Sequence, residues 1–306
     1  MNKKYTIKKA KGIFLHDIHD VKYYDLQKNS NILGHSYKKL TTLIKNDISS
    51  RWNILESTIY HSRMRKLFEK LFTPDYFLTA LLSLDEFILK INNYSLSNSY
   101  NLKLIGERFN LWLKDNYNLS NIKTGEIQKN IIIYDMAEIF LQFDGDSKKF
   151  NDFIKDIKRE EITVFNYLWY PYLDIKTDNV DIIILPEIYS GNFKYINILI
   201  NKKRVKNFYQ FTGQFECIPS LYISSSLKMY YLIKKMEYDH KMINLKTNKF
   251  IQSGRLFSYR DIKYYNNLIE EYFNKNIILS NAPPFYNYLP LILEDFQIKY
   301  LSKIII

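Results

Sequence analysis

Four side chains able to ligate a metal, His16, Asp17, His19 and Asp20, fall within five residues near the start of the chain. Imidazoles and carboxylates at that density can hold a divalent cation. Two short apolar runs, Ile13 to Leu15 and Val21 to Leu26, flank them. That is a strand-turn-strand pattern, in which neighbouring side chains point to opposite faces, so no metal site is expected. Cys217 is the one cysteine, which allows neither an internal disulfide nor a thiolate zinc site. His61-Ser62-Arg63 and His240 stand isolated and read as surface. No glycine-rich nucleotide loop is present, nor a Ser/His/Asp set at a recognisable elbow. The basic cluster Lys202-Lys203-Arg204 follows a strand-like stretch and reads first as a solvated loop.

The elements that would position such groups alternate. Leu40, Leu43 and Ile44 mark a helix after Ser36, and Asn53 to Phe72 a second. Thr73-Pro74 reads as an N-cap and first turn of an apolar, buried helix from Asp75 to about Ile91. Asn101 to Asp115 gives a third helical pattern. Asn130 to Tyr134, Glu161 to Tyr170, Val180 to Leu185 and Tyr195 to Ile200 read as strands, and Val180 to Leu185 suits burial on both faces of a parallel sheet. Ser147 to Arg159, Leu227 to Met236, Asp261 to Phe273 and Glu294 to Lys303 are helical, with strands at Lys249 to Phe257 and Asn276 to Leu279. Alternating strands and helices imply an α/β layer.

Composition sets the outer bounds. The 306 residues suffice for one large or two ordinary domains, and 46% hydrophobic content supplies a core. The formal charge is +12, from 44 Lys and Arg against 32 Asp and Glu. The lysines are spread along the chain without an Arg-rich arm, so a solvated basic surface is preferred to nucleic-acid binding. No apolar run reaches the ~20 residues that span a bilayer, and no signal-peptide core follows the basic start. A soluble, cytoplasmic protein is expected.

The stretch from Ala10 to Lys45 resembles the N-terminal segment of class III pyridoxal-phosphate (PLP) aminotransferases, in their glutamate-1-semialdehyde aminotransferase branch. Ala10, Lys11, Gly12, Asp17, Tyr23, Asp25, Leu33, Gly34, His35 and Ser36 stand at the family's spacing. The chain departs at Asp20, where the family has its turn glycine, and at Tyr37-Lys38, where it has His-Pro. Asn276 to Phe285, with Leu291 and Glu294-Asp295, resembles the family's closing segment.

The resemblance implies fold type I of the PLP-dependent transferases: a large domain with a mostly parallel sheet and a small α+β domain built from both termini. Residues 1–60 and 216–306 would supply the small domain and 61–215 the large one. It also implies a lysine that forms a Schiff base with PLP, a carboxylate against the pyridine nitrogen and a phosphate cup at a helix start. Set against the family's S-G-T-E-A, Thr73 to Thr79 lacks the glycine and adds Asp75, Tyr76 and Phe77. Tyr94 or Tyr100 would be the ring-stacking aromatic, without a convincing motif around either. Set against F-D-E-V-x-T-G, Ile182 to Gly191 puts Pro186 at the aspartate and Glu187 at the next acid. Set against P-D-h-x-x-h-G-K, where h is hydrophobic, Tyr195 to Lys202 makes Lys202 the candidate Schiff-base residue. Leu221 to Lys228 resembles T-x-S-x-N-P-L-A, with Leu221 at the threonine.

Two readings of the resemblance follow. One is a non-catalytic relative with lost or impaired PLP chemistry, a partner or scaffold forming a homodimer or a heterodimer with a related subunit. The other is a working PLP aminotransferase or aminomutase acting on a small amino-acid-like substrate through Lys202. Composition adds a third, a basic module for an anionic partner.

Overall fold

The computed structural model describes residues 6–27, 33–51, 58–72, 75–98, 100–116, 130–143, 146–157, 161–170, 180–186, 195–211, 218–237, 247–291 and 293–305. The chain opens with β1 (Ile7–Lys11), β2 (Phe14–Asp17) and β3 (Lys22–Asp25). β2 and β3 form the expected hairpin, with Leu15 opposite Tyr23. Asp17 Oδ1 holds its turn by accepting the N–H groups of His19 and Val21, each at 2.9 Å. Asp20 takes φ +61°, a left-handed conformation that Asp tolerates. β1, mostly exposed, adds to the far edge of β2. The Leu33–Ser36 turn folds back on this sheet: Gly12 and His35 exchange both backbone hydrogen bonds, at 2.9 and 2.6 Å.

Helices α1 (Lys38–Arg51) and α2 (Ile59–Leu71) follow, the second capped by Thr58. The next stretch departs from expectation. Tyr76–Leu81 is a strand, β4, and the helix after it, α3 (Leu84–Ser97), starts at Ser83. A continuous apolar run fits a strand buried on both faces as well as a buried helix. The deciding signal is Ser83-Leu84-Asp85-Glu86, a capping box. Asn101 to Asp115 likewise divides into β5 (Asn101–Ile105) and α4 (Glu107–Asn116), parted by Gly106 at φ +139°.

Then come β6 (Asn130–Asp135), α5 (Met136–Gln142), α6 (Ser147–Asp156), β7 (Ile162–Asn166), β8 (Ile182–Ile184) and β9 (Ile196–Asn201). Asp146, not Ser147, caps α6. Six strands form one sheet in the order β4-β9-β8-β7-β6-β5. β5 through β8 are parallel, and β9 runs antiparallel to both β8 and β4. Every residue of β7 and β8 is buried, each large apolar side chain stabilising by roughly 1.5–3 kcal/mol. The architecture is the expected α/β one. Helix α7 (Ser220–Glu237) packs on α1 and α2 and shares their core.

The closing elements are β10 (Phe250–Ser253), β11 (Leu256–Tyr259), α8 (Tyr265–Phe273), β12 (Ile277–Ile278), β13 (Tyr286–Tyr288) and α9 (Asp295–Ile305). β12 pairs parallel with β3, placing Ile277 beside Tyr24. Tyr24 also stacks on Tyr300 of α9, and Tyr23 on Phe273 of α8. The opening hairpin therefore packs against the closing strand and helices. β10, β11 and β13 make a third sheet.

Candidate functional site

In an open α/β sheet the ligand site lies beyond the carboxyl ends of the parallel strands. Here those ends are Leu81, Ile105, Asp135, Asn166 and Ile184. Asp135 caps α5 by accepting the N–H of Ala137 at 3.2 Å, and its other oxygen accepts the hydroxyl of Tyr286. One turn on, Glu138 accepts the Arg108 backbone N–H and Nη1, both at 3.0 Å. Arg108 also donates from Nε to Ser258 Oγ, 3.0 Å, and from Nη2 to the Tyr259 carbonyl, 2.8 Å. A Cβ on Gly106 would lie 3.0 Å from both Asp135 Cβ and Glu138 Oε2, so the close approach of α4 to α5 demands glycine.

Asn166 ends the central strand β7. Its Oδ1 accepts the N–H of Leu168 at 3.1 Å, and its Nδ2 is buried without a hydrogen-bond partner among the described residues. Trp169 fills the space beyond, edge-on to Phe109 and Trp112 and tilted on Tyr286. The Tyr288 hydroxyl donates to the Trp169 carbonyl. The third sheet is thus seated on the carboxyl edge.

Burial governs the electrostatics. It pushes Asp135 up to about 7, opposed by the Tyr286 hydroxyl and aided by the nearby Glu138 charge. Tyr286 is raised well above the usual phenol range, first by burial and then by the charge of Asp135. Asp181, at the foot of β8, is pushed up to about 6 by burial against the Thr163 N–H and Arg204. Asp135 and Tyr286 could in principle exchange a proton. Asp135, Asn166 and Tyr286 are each 0% exposed, however.

The sequence-expected site residues are scattered. Lys202 lies in the turn after β9, exposed, with its N–H on the Asp75 carbonyl at 3.0 Å. Because β9 is antiparallel, Asn201 sits opposite Tyr76, at the start of β4. Lys202 is therefore at the amino edge, about 20 Å from the carboxyl edge at ~3.3 Å per residue over six residues. Its neighbours are engaged, Lys203 with Asp75 at 2.8 Å and Arg204 with Asp181 at 2.7 Å. Asp75, Tyr76 and Phe77 lie before or within β4, not at a helix start; Thr73 and Pro74 are outside the described residues.

The strand-to-helix junction is Leu82–Glu86. There Ser83 Oγ accepts the Glu86 N–H at 3.2 Å and Glu86 Oε2 accepts the Leu82 N–H at 2.8 Å. Tyr94 is buried in α3, stacked on Tyr100 and tilted against Phe211; burial pushes it up to about 12. Leu221 to Lys228 lies inside α7, where Ser225 bonds back to the Leu221 carbonyl at 2.7 Å and Ser224 donates to Asp47. Asp17 is committed to its turn and Asp20 to Lys8, at 3.1 Å. Among the described residues no group of three His, Cys, Asp or Glu could hold a metal ion, and no helix is long and apolar enough to cross a membrane. Glu187, Ser190, Gly191, Cys217 and His240 lie outside the described residues. Asp135 and Asn166 were not singled out by sequence; the signal is a polar residue closing a β-branched run, at Ile131 to Asp135 and Thr163 to Asn166.

No protein-family model matches the chain, and no curated protein matches it in sequence. Solved structures do match along its whole length. An ornithine δ-aminotransferase of Plasmodium falciparum superposes with a TM-score of 0.66 at 14% identity, covering 100% of this chain and 94% of that one. The ornithine aminotransferase of Toxoplasma gondii, seen with partial PLP occupancy, gives 0.67 at 12%, covering 98% and 88%. An N-acetylornithine aminotransferase of Stenotrophomonas maltophilia gives 0.61 at 10%, covering 99% and 94%. At such identities the likeness is one of fold, and the fold is type I of the PLP-dependent enzymes.

Proposed function

We propose that this chain is a non-catalytic relative of the class III aminotransferases, keeping their fold as a binding partner without their PLP chemistry. Bound PLP supplies an electron sink, and the protein must offer a lysine, an acid for the ring nitrogen and amide donors for the phosphate. Among the described residues, we find a poor fit to that group. None of β4 to β8 ends in a lysine. The junction after β4 already receives the carboxylate of Glu86, which would repel a phosphate dianion.

Strand direction also resets the resemblance. Lysine and acid must reach one cofactor, so their strands must end at one edge. Neighbouring β7 and β8 meet that condition and β9 does not. F-D-E then falls on Phe165-Asn166-Tyr167, and P-D-h-x-x-h-G-K on Val180-Asp181-Ile182-Ile183-Ile184-Leu185-Pro186-Glu187. The acid becomes Asn166 and the lysine Glu187. The observation that carries the reading is Asn166: a neutral amide, its acceptor used by Leu168, and fully buried.

The test is to incubate the purified chain with PLP, reduce with borohydride and look for a lysine adduct by mass spectrometry. No visible band that borohydride bleaches and no specific adduct are expected. A stoichiometric adduct on one lysine, lost in Lys202→Ala, would restore the enzyme reading. The same reading carries a dimer, of this chain with itself or with a related subunit, which light scattering decides. It also retains a small domain shared by both ends of the chain, a division that the β3–β12 pairing supports.

A further inference from the structure

A concave surface lies between α2 and α7. The helices start together, with Thr58 Oγ 3.3 Å from Ser220 Oγ and the His61 ring 3.2 Å from the Ile218 carbonyl. They stay together, Phe68 meeting Tyr230 edge-on at 5.2 Å. They therefore run parallel, and between them is a groove of about 860 Å³. Its α2 rim carries Arg63, Lys66 and Lys70, at i, i+3 and i+7, and its α7 rim Lys234 and Lys235. No acidic residue lines it, and none of these five cations has an ion-pair partner among the described residues. The floor is apolar, Leu67 and Leu71 facing Leu227 and Tyr231, each pair one turn apart.

Helix dipoles favour cations in a last turn, which accounts for Lys70, Lys234 and Lys235. It does not account for Arg63 and Lys66 earlier in α2, nor for the absence of any carboxylate across the groove among the described residues. A second copy docked through this face about a two-fold axis would set five cations against five, which Coulomb repulsion opposes. Single-stranded nucleic acid would match the rims but needs aromatic platforms for its bases, and the groove offers Tyr231 alone. A helix with an apolar stripe flanked by carboxylates satisfies floor and rims at once.

We propose that this groove receives an amphipathic helix of a partner protein, its apolar stripe flanked by Asp and Glu. The groove is built apart from the carboxyl edge, so this inference names a partner class without depending on the loss of PLP chemistry.

The test uses the full chain and a fluorescent peptide of about 18 residues, five helical turns, with Leu at helical spacing and Glu on both flanks. A peptide of identical composition without the stripe is the control, and single-stranded RNA and phosphatidylserine vesicles are the competitors. Binding by anisotropy should be about tenfold tighter for the striped peptide, weaken with salt, and fall about tenfold in Lys66→Glu/Lys70→Glu, whose exposed positions leave the chain folded with a melting point lowered by at most a few degrees. Equal binding of both peptides, no binding, no loss in the double variant, or displacement by RNA or vesicles would each overturn it. A chain that takes up PLP yet binds the peptide refutes only the earlier reading; one that does neither refutes only this one.

Discussion

His35 Nε2 lies 2.9 Å from Asp25 Oδ2, tying the Leu33–Ser36 turn to the last residue of β3. Asp25 is buried and also accepts the Gln27 N–H at 3.1 Å. Removing the imidazole leaves a buried carboxylate short of one partner. His35→Ala should cost about 1–3 kcal/mol of stability, read from urea unfolding. A variant as stable as the parent would show that the contact contributes nothing.

Stability should also depend on pH through Asp135. Its ordinary value is 3.8 and burial raises it to about 7 in the folded chain. Below pH 4 both folded and unfolded chains hold this proton. Between pH 4 and 7 the unfolded chain releases it while the folded chain keeps it, so stability falls as pH rises; above about 7 the loss is complete. The loss is a few kcal/mol, about 1.4 for each pH unit of that interval. Asp181, raised by burial to about 6, acts in the same direction. Glu271, held low by hydrogen bonds from Lys249 and Lys275, acts in the opposite one. The measurement is therefore the difference between parent and Asp135→Asn in urea midpoint across pH 4 to 8. Parallel curves would refute the assignment.

Arg108 and Glu138 form a buried ion pair at 3.0 Å. Arg108→Ala strands the Glu138 carboxylate and should cost about 3–5 kcal/mol. Replacing both, as Arg108→Met with Glu138→Leu, should cost less than the single change, because no charge is then left without its partner. A double variant weaker than the single one would locate the stabilisation in the bond that Glu138 accepts from the Arg108 backbone N–H, since both variants lose the guanidinium.

If the alignment proposed above holds, Asn166→Asp would supply an acid at the place of the family's own. At this fully buried position the expected result is a chain destabilised by a few kcal/mol at neutral pH and still without a visible band in PLP. A stable variant that turned yellow would show that the site opens readily and that one amide had silenced it.

Much of the architecture was legible in the residues, for identifiable reasons. The hairpin was marked by apolar runs around Asp20, and the closing strand by Ile277 and Ile278. β4 was hidden because Tyr76 to Leu81 is apolar throughout, which leaves periodicity nothing to measure. The direction of the strand before Lys202 was not legible, because Tyr195 to Ile200 looks the same whichever way it runs; direction is fixed by pairing with β4 and β8. Asn166 stayed hidden because one apolar stretch, Glu161 to Tyr170, contains both the strand end and the turn after it.

The parallel pairing of β3 with β12 joins segments roughly 250 residues apart, a distant closure of the kind that slows folding. On the ribosome the hairpin emerges early, and the far side of β3 then offers unpaired amides and carbonyls until residues 277 and 278 are synthesised. An unpaired strand edge invites association with other chains. Slower elongation would therefore lengthen the time for which this edge stays exposed.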